Sequence, residues 1–233
     1  NLTVNYTPNP LGEGTFRPDG KGGLCYVGHL DNNGMEYAVR LQVIPTKGSV
    51  TYTDGKLKVV GADAVTILLT ADTDYAPNYN PDFNDAKAYV GVNPQATTKA
   101  WMKKAMKAGY NKLFAAHYKD YAALFGRVNF ELDGPTSQKP TNQRLADYRK
   151  GVKDLGLETL YYQYGRYLLI ASSRPGNLPA NLQGIWHNNV DGPWRVDYHN
   201  NINLQMNYWP ALSTNLAECA EPLTDFIRLL EKP

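Results

Sequence analysis

The first 95 residues show the alternation of apolar and polar side chains that is typical of β-strands. In the run GMEYAVRLQVIP, apolar side chains recur at every second position, at Tyr37, Val39, Leu41 and Val43. The runs KLKVVGA and AVTILLTA have strand length, and NNG and DG dipeptide signals mark hairpin turns. The pattern predicts about five or six strands, few enough to leave an open sheet edge unless further strands lie elsewhere.

From about residue 96 the apolar spacing becomes helical. Residues 97–128 are rich in Ala and Lys, with Gly109 as a break, and Thr97 or Thr98 is a plausible N-cap. The stretch VNFELDGPTSQKPTNQ predicts a short strand and a loop.

Two more helices are predicted before Pro175, and NLAECAEPLTDFIRLLEK predicts another near the end. The helix from about Glu158 to Ser172 is apolar almost all round, so we expect it to be buried. Because such helices and an open sheet need partners that this chain supplies only in small number, we interpret the sequence as an interior piece of a larger α+β protein.

Composition excludes several classes of function. Of the residues, 42% are hydrophobic and 20% charged, with a net charge of +2, which is too small for a nucleic-acid or membrane-surface partner. No window reaches the roughly 18 apolar residues of a membrane span. The start, NLTVNYTPNP, lacks the pattern of a signal peptide.

Cysteine and histidine give little sign of metal chemistry. Cys25 and Cys219 are either two free buried thiols or one disulfide. The four histidines, at 29, 117, 187 and 199, show no ligand-type spacing, so neither a metal nor a cofactor is predicted. His117 lies on a helix face and is interpreted as structural.

Chemistry is concentrated in residues 181–209, here called the asparagine segment. It holds seven asparagines, three tryptophans and two histidines. An amide offers hydrogen-bond donors and an acceptor without charge, which suits a neutral, hydroxyl-rich ligand such as a sugar. The side chains predicted to stack on or donate to it are Trp186, Trp194, Trp209, Arg174, His187, Arg195 and His199. The alternative is that the amides only tie down the backbone of a long loop.

The run His199-Asn200-Asn201-Ile202-Asn203 is the centre of this segment. On an extended chain, His199, Asn201 and Asn203 would face one way. Two amide oxygens in such a row could accept hydrogen bonds from one water and orient it, although a carboxylate would have to take its proton. Asp197 shares this parity, but an Asp here more often supports the loop.

The asparagine segment resembles glycoside hydrolase family 95, the inverting α-L-fucosidases and related α-L-galactosidases. The resemblance rests on SSRPGNLPANLQGIWHNN at 172–189 and PWRVDYHNNINLQMNYWPALSTNLAE at 193–218, and YKDYAALFGRVNFEL at 118–132 is also similar. It implies the end of an N-terminal β-sandwich domain at 1–95, a helical linker at 96–135, and the opening helices of an incomplete (α/α)6 catalytic barrel at 136–233.

The resemblance also implies a mechanism. It assigns the two water-activating residues to Asn201 and Asn203 and a substrate contact to His199, and it adds Asn181 and Gln183 to the substrate-binding set. The general-acid Glu and an assisting Asp lie downstream of this chain in the family. Glu218 and Glu221 are therefore expected to be structural or solvated.

The implied partners are a fucosylated or L-galactosylated oligosaccharide, the rest of the barrel and a C-terminal β domain. The implied location is secreted, periplasmic or at the cell surface. Two other functions stay open. One is a non-catalytic carbohydrate-binding protein, and the other is a different (α/α)6 enzyme such as a disaccharide phosphorylase, although no Gly-rich phosphate cradle is evident.

Overall fold

The computed structural model describes residues 1–8, 10–76, 86–189 and 192–231, so Asp191 of the asparagine segment lies outside the described residues. The chain divides into two compact units, Asn1–Ala116 and a second that begins at His117. The strands are β1 (Leu2–Asn5), β2 (Gly12–Pro18), β3 (Gly23–Leu30), β4 (Glu36–Thr46), β5 (Ser49–Thr53), β6 (Lys56–Val60) and β7 (Ala64–Thr73). The α-helices are α1 (Pro94–Phe125), α2 (Thr141–Tyr148), α3 (Leu155–Ser172), α4 (Ile202–Tyr208), α5 (Pro210–Ser213) and α6 (Glu221–Leu230), with short 3-10 turns at Ala86–Tyr89, Pro193–Val196 and Ala217–Ala220.

The first unit contains two antiparallel sheets, with strand orders β1-β6-β5 and β2-β3-β4-β7. The strand predicted in the run GMEYAVRLQVIP is confirmed as β4, but burial does not alternate along it, because Ala38, Arg40 and Gln42 are buried together with the predicted apolar positions. Leu41 and Val43 share a core cluster with side chains of β6 from the other sheet. The apolar faces of the two sheets therefore meet, as the β-rich pattern predicts.

The start of α1 differs from the prediction. The helix begins at Pro94, and Asn93 Oδ1 accepts a hydrogen bond from Gln95 N at 2.9 Å. The proposed N-cap at Thr97 or Thr98 is wrong, and the Thr98 hydroxyl instead donates to Pro94 O inside the helix at 2.7 Å. Proline suits the first helical position because its fixed φ and missing N–H cost nothing there.

The predicted break in α1 is confirmed at Gly109, where φ is 71° and ψ is 164°. The short strand expected after this helix is wrong. Residues 128–140, all of them described, contain no strand, and the chain runs as an irregular segment into α2. β-propensity alone does not make a strand, because a strand also needs a neighbour to pair with.

The side chain of Asp154 caps the N-terminal end of helix α3. Asp154 Oδ1 accepts from Leu157 N at 3.0 Å, and Arg144 of α2 donates to both carboxylate oxygens at 2.8 and 2.9 Å. The hydrogen bond from Arg144 lowers the pKa of Asp154 to about 2. The ion pair therefore fastens α2 to the start of α3.

The predicted full burial of α3 is wrong. Leu157, Leu169 and Ile170 are buried, but Tyr161 and Tyr164 are exposed. These two tyrosines line an apolar groove of about 860 Å³ between α2 and α3. Among the described residues, apolar neighbours cover α3 on one side only.

The hydrophobic core of the second unit includes residues at or next to both ends of the asparagine segment. Its buried members are Leu124, Leu169, Ile170, Ala180, Leu204, Tyr208, Ala211, Leu216 and Cys219. They come from α1, α3, the residue just before the asparagine segment (Ala180), α4 and the residues after α4, so this core fixes the two ends of the asparagine segment against the helices.

Both cysteines are free and buried, which is the first of the two alternatives that the sequence allowed. Burial raises the pKa of the Cys25 and Cys219 thiols, and a protonated thiol is a poor nucleophile. Within the described ranges, no His, Cys, Asp or Glu group is arranged to hold a metal ion. The helices of that part of the chain are too short or too polar to cross a membrane.

Candidate active site in the asparagine segment

The asparagine segment opens with a tight turn. Asn181 Oδ1 accepts from Gln183 N at 3.0 Å, and the backbones of Asn181 and Gly184 exchange two hydrogen bonds. Gly184 has a φ of 71°, which a residue with a Cβ rarely adopts. Asn181 thus shapes the loop through an Asx-type turn.

Two hydrogen bonds connect the two sides of the loop that follows this turn. Leu182 N donates to Asp197 O at 3.2 Å, and Gln183 Nε2 donates to Pro193 O at 2.9 Å. The amide of Gln183 therefore holds the first turn of the segment against the stretch that carries Trp194.

Residues 194–196 are held in an unfavourable backbone conformation. Trp194, Arg195 and Val196 have φ values of 56°, 56° and 57°. The left-handed region costs an L-residue about 1–2 kcal/mol. Trp194, on this stretch, is 73% exposed.

His199 makes three contacts with two neighbouring residues, Asp197 and Trp194. Its Nε2 lies 2.6 Å from Asp197 Oδ1 and 3.3 Å from Trp194 O, and its ring meets the Trp194 ring edge-to-face at 5.3 Å between centroids. The carboxylate beside Nε2 favours the tautomer with the proton on that nitrogen. Asp197 therefore supports the loop and orients the imidazole.

The extended conformation expected for residues 199–203 is wrong. Helix α4 begins at Ile202, and Asn201 is its N-cap, with Oδ1 accepting from Ile202 N at 2.7 Å. Asn203 lies in the first helical turn with an exposed side chain. A helix forms because Asn is a strong N-cap and Leu204 and Tyr208, four residues apart, both turn towards the core.

The structure connects some of the predicted site residues. Gln183 bonds the turn that precedes Trp194, Trp194 contacts His199, and His199 lies two residues before Asn201. Asn181 joins this group through its turn with Gln183. These side chains lie around one loop, which is the arrangement a small ligand site needs.

Other predicted residues have different surroundings. Arg174 Nη2 pairs with Asp120 at 2.7 Å, and Trp186 lies 6.3 Å from Tyr167 between ring centroids. Trp209, at the end of α4, is 62% exposed. No contact recorded within the described residues joins these three side chains to His199, so their substrate-binding roles stay predictions.

Two polar atoms of the loop are buried without a partner. Among the described residues, neither Gln183 Oε1 nor His187 Nε2 has a hydrogen bond. A Cβ on Gly192 would lie 2.5 Å from His187 Nε2, so glycine is needed there for the imidazole to pack closely. An unsatisfied buried polar atom costs about 1–3 kcal/mol, a cost that a polar ligand can remove.

Sequence reasoning missed the side chains that hold α4 in place. The hydroxyl of Tyr208 accepts from Ala180 N at 2.7 Å, and Asn207 Nδ2 donates to Asn181 O at 2.8 Å. Asn207 was visible only as one more amide, and Tyr208 as one more aromatic residue in a core position. Their partners lie 28 and 26 residues away, and no local pattern identifies such pairs.

Glu218 is not available as a proton donor. Arg127 donates to both of its carboxylate oxygens, at 2.9 and 2.7 Å. The hydrogen bond from Arg127 lowers the pKa of Glu218 to about 2. Glu218 is thus structural, as expected, and Glu221 is exposed at the first position of α6.

This pair makes stability depend on pH. Since the pKa of Glu218 is lower in the folded state, its contribution is full above the ordinary value of about 4.5 and disappears as pH falls towards 2. We expect Glu218→Gln to lower the free energy of unfolding at pH 7 by about 1 kcal/mol, a modest value because the side chain is 38% exposed and screened by water. Urea unfolding at pH 7, 5 and 3 measures this.

The control is Glu221→Gln, which changes a neighbouring exposed acid and should alter the pH dependence little. The pair would have no energetic role if both variants lost the same stability at every pH.

Two domain-family models match different parts of this chain. Residues 109–233 match the model of the glycosyl hydrolase family 95 catalytic domain, and residues 2–78 match that of the glycosyl hydrolase family 65 N-terminal domain. The chain is 38% identical over 207 residues to "Alpha-L-fucosidase 2" of Arabidopsis thaliana, covering 86% of this chain and 24% of that protein.

Two fungal proteins are also similar. The chain is 37% identical over 201 residues to "Probable alpha-fucosidase A" of Aspergillus niger, covering 83% of this chain and 25% of that protein. It is 34% identical over 194 residues to the protein of the same name from Aspergillus oryzae, covering 79% and 26%. The chain thus spans about a quarter of the length of these relatives.

The β-rich part and the helical part of the chain each match a domain of a glycosyl hydrolase family, so the class of protein is a glycoside hydrolase. Since the catalytic-domain match covers more than half of the chain, the chain belongs to glycosyl hydrolase family 95.

Proposed function

We propose that this chain contributes the water-activating side of the active site in a glycosidase that removes terminal α-L-fucosyl or α-L-galactosyl residues from oligosaccharides. One structural observation carries the proposal. The loop that carries the exposed Trp194 also carries the Gln183 amide, which bonds Pro193 O, and two buried polar atoms, Gln183 Oε1 and His187 Nε2, that have no partner in the described chain. A neutral sugar can satisfy such atoms and stack on such a ring. The names of the relatives support α-L-fucose as the sugar.

The chemistry proposed for the two amides is orientation of water. A carbonyl oxygen has two lone pairs, so Asn201 Oδ1 can accept from a water while it accepts from Ile202 N. Asn203 is exposed two residues further on and offers a second acceptor. Neither amide is basic near neutral pH, so a carboxylate must receive the proton.

A general acid must protonate the departing oxygen, and we propose that it comes from outside these 233 residues. Glu218 cannot serve, since Arg127 holds it ionised. A water placed between the base side and the sugar gives inversion at the anomeric carbon. We therefore expect the isolated chain to release a negligible amount of sugar, because losing a general acid typically costs about 10²–10⁴ in rate.

The architecture proposed for this function has three parts. Residues 1–95 end a β-sandwich domain, 96–135 form a helical linker, and 136–233 open an (α/α)6 barrel. The rest of that barrel and a C-terminal β domain would complete the enzyme around its oligosaccharide substrate. The observed change from strands to helices supports the first boundary, since β7 ends at Thr73 and α1 starts at Pro94.

The test is L-fucose release from 2′-fucosyllactose by the complete natural polypeptide that carries this chain, with the isolated chain as a parallel sample. We expect release by the former alone, and proton NMR during the first minutes should show the β-anomer of L-fucose. Phosphate-dependent formation of a sugar phosphate would instead indicate a phosphorylase. No release from fucosides or α-L-galactosides would contradict the proposal.

A carbohydrate-binding protein without catalysis is the second candidate. The exposure of Trp186, Trp194 and Trp209 favours it, because open aromatic faces bind sugars without any chemistry. Such a protein would bind 2′-fucosyllactose, detectable as a change in tryptophan fluorescence, and would leave it intact.

A further inference from the structure

A buried chain of hydroxyl groups joins four separate segments of the second unit. Ser173 Oγ donates to Cys219 O at 2.8 Å and lies 2.8 Å from the Tyr208 hydroxyl, which accepts from Ala180 N at 2.7 Å. Since the single Ser173 proton goes to Cys219 O, the Tyr208 proton must go to Ser173 Oγ. All four residues are buried, so these hydrogen bonds are shielded from solvent.

A second bond lies beside this chain. Asn207, the residue before Tyr208, donates from Nδ2 to Asn181 O at 2.8 Å. Consecutive side chains of α4 therefore bind the backbones of Ala180 and Asn181, where the asparagine segment begins. We call Asn207 and Tyr208 the α4 clamp.

The α4 clamp lies one helical turn from the proposed water-activating amide. Asn203 and Asn207 are four residues apart, so they share a face of α4 and are separated by about 6 Å along its axis. With seven residues, α4 is too short to form by itself, so tertiary contacts must hold it. At its first turn, and among the described residues, the Asn201 side chain bonds only the adjacent Ile202 N, which leaves the clamp and the buried Leu204 to fix the helix.

We propose that the α4 clamp consists of two positioning residues, which fix the position of Asn203 relative to Gln183. They thereby fix the position at which the attacking water is held. This rests on the proposed hydrolase function. The clamp ties α4 to Asn181, and Asn181 forms the turn that carries Gln183. A displacement of about 1 Å between a reacting group and its substrate can lower a rate about 10²-fold.

The first test is Tyr208→Phe in the complete natural polypeptide, with kcat and KM measured on 2′-fucosyllactose. This variant keeps the buried ring and removes the hydroxyl, so Ala180 N loses its acceptor. We expect kcat to fall by roughly 10-fold to 10²-fold while KM changes less than about 2-fold. Tyr161→Phe is the matched control, because that side chain is 79% exposed, and it should behave as wild type.

Asn207→Asp gives an independent test with a nearly identical shape. The carboxylate cannot donate to Asn181 O, so kcat should fall in the same way, whereas Asn207→Gln keeps a donor and should recover part of the loss. If the Tyr208→Phe protein does not fold, the Asn207 variants can still contradict the proposal.

A double variant separates positioning from general stability. If the clamp acts through Asn203, adding Tyr208→Phe to Asn203→Ala should lower kcat no further, since coupled residues are not additive. Equal losses in both backgrounds would overturn the proposal. It would also be overturned by a lowered melting temperature with unchanged kcat, or by a raised KM alone. In all these cases the wild-type protein is active. If the proposed function itself were wrong, the wild-type protein would release no sugar.

Discussion

Asn203→Ala is expected to lower the kcat of the complete natural polypeptide on 2′-fucosyllactose by about 10²–10⁴-fold, the range for a group that assists proton transfer from a reacting water. KM should change little, because the lost interaction is made with the water and not with the sugar. Asn203 is exposed on α4, so its removal leaves no cavity and should not unfold the protein. Steady-state kinetics together with a thermal melt measures both effects.

The control for this variant is Asn142→Ala, which removes an exposed amide from α2, outside the asparagine segment, and should leave kcat unchanged. Asn201 needs a different substitution, since alanine there would also remove the N-cap of α4. Asn201→Ser keeps a capping oxygen and removes the amide that would hold the water. Weaker sugar binding with normal turnover in the Asn203 variant would point to a substrate contact and contradict the proposed role.

Arg166→Met is expected to lower the free energy of unfolding by about 3 kcal/mol, because it removes buried, charge-assisted hydrogen bonds. Arg166 is 2% exposed and donates to Leu124 O at 3.2 Å, to Phe125 O at 2.8 Å and to Gln163 Oε1 at 3.1 Å. The two carbonyls belong to the last turn of α1, where Leu124 O also accepts from Arg127 N at 3.3 Å just beyond the helix. Positive charge at a helix C-terminus also complements the helix dipole.

Urea unfolding at pH 7 measures this effect. Arg149→Met is the matched control, since Arg149 is exposed at the end of α2 and should cost less than about 0.5 kcal/mol. Arg166→Lys should be intermediate, because an ammonium group cannot reach all three acceptors at once. If Arg166→Met were as stable as wild type, methionine packing would be offsetting the lost bonds and the arginine would not be needed for the fold.

The parts of the fold that were predicted correctly depend on local pattern. The period-2 alternation of Tyr37, Val39 and Leu41 identified the face of β4 that joins the hydrophobic clusters, because the geometry of a strand turns alternate side chains to one side. The break at Gly109 followed from the conformational freedom of glycine. The family membership could also be predicted, because the motifs at 172–189 and 193–218 are continuous in sequence.

The predictions that were wrong required a choice between competing local signals. Residues 199–203 could form an extended run or a capped helix, and packing of Leu204 and Tyr208 into the core goes with the helix. Thr98 could cap α1, but the preceding Asn93-Pro94 pair starts the helix first. In each case the deciding contact lies outside the window that a sequence pattern covers.

The sequence by itself determined the two-part organisation, the concentration of amides and aromatic rings after α3, and the family to which the chain belongs. Only the tertiary structure decided that Arg127 keeps Glu218 ionised from 91 residues away, that Asp197 orients His199, and that Asn207 and Tyr208 hold α4 on the start of the loop. Residue type and spacing set what a side chain can bond, but the identity of its partner depends on which distant segments the core brings together.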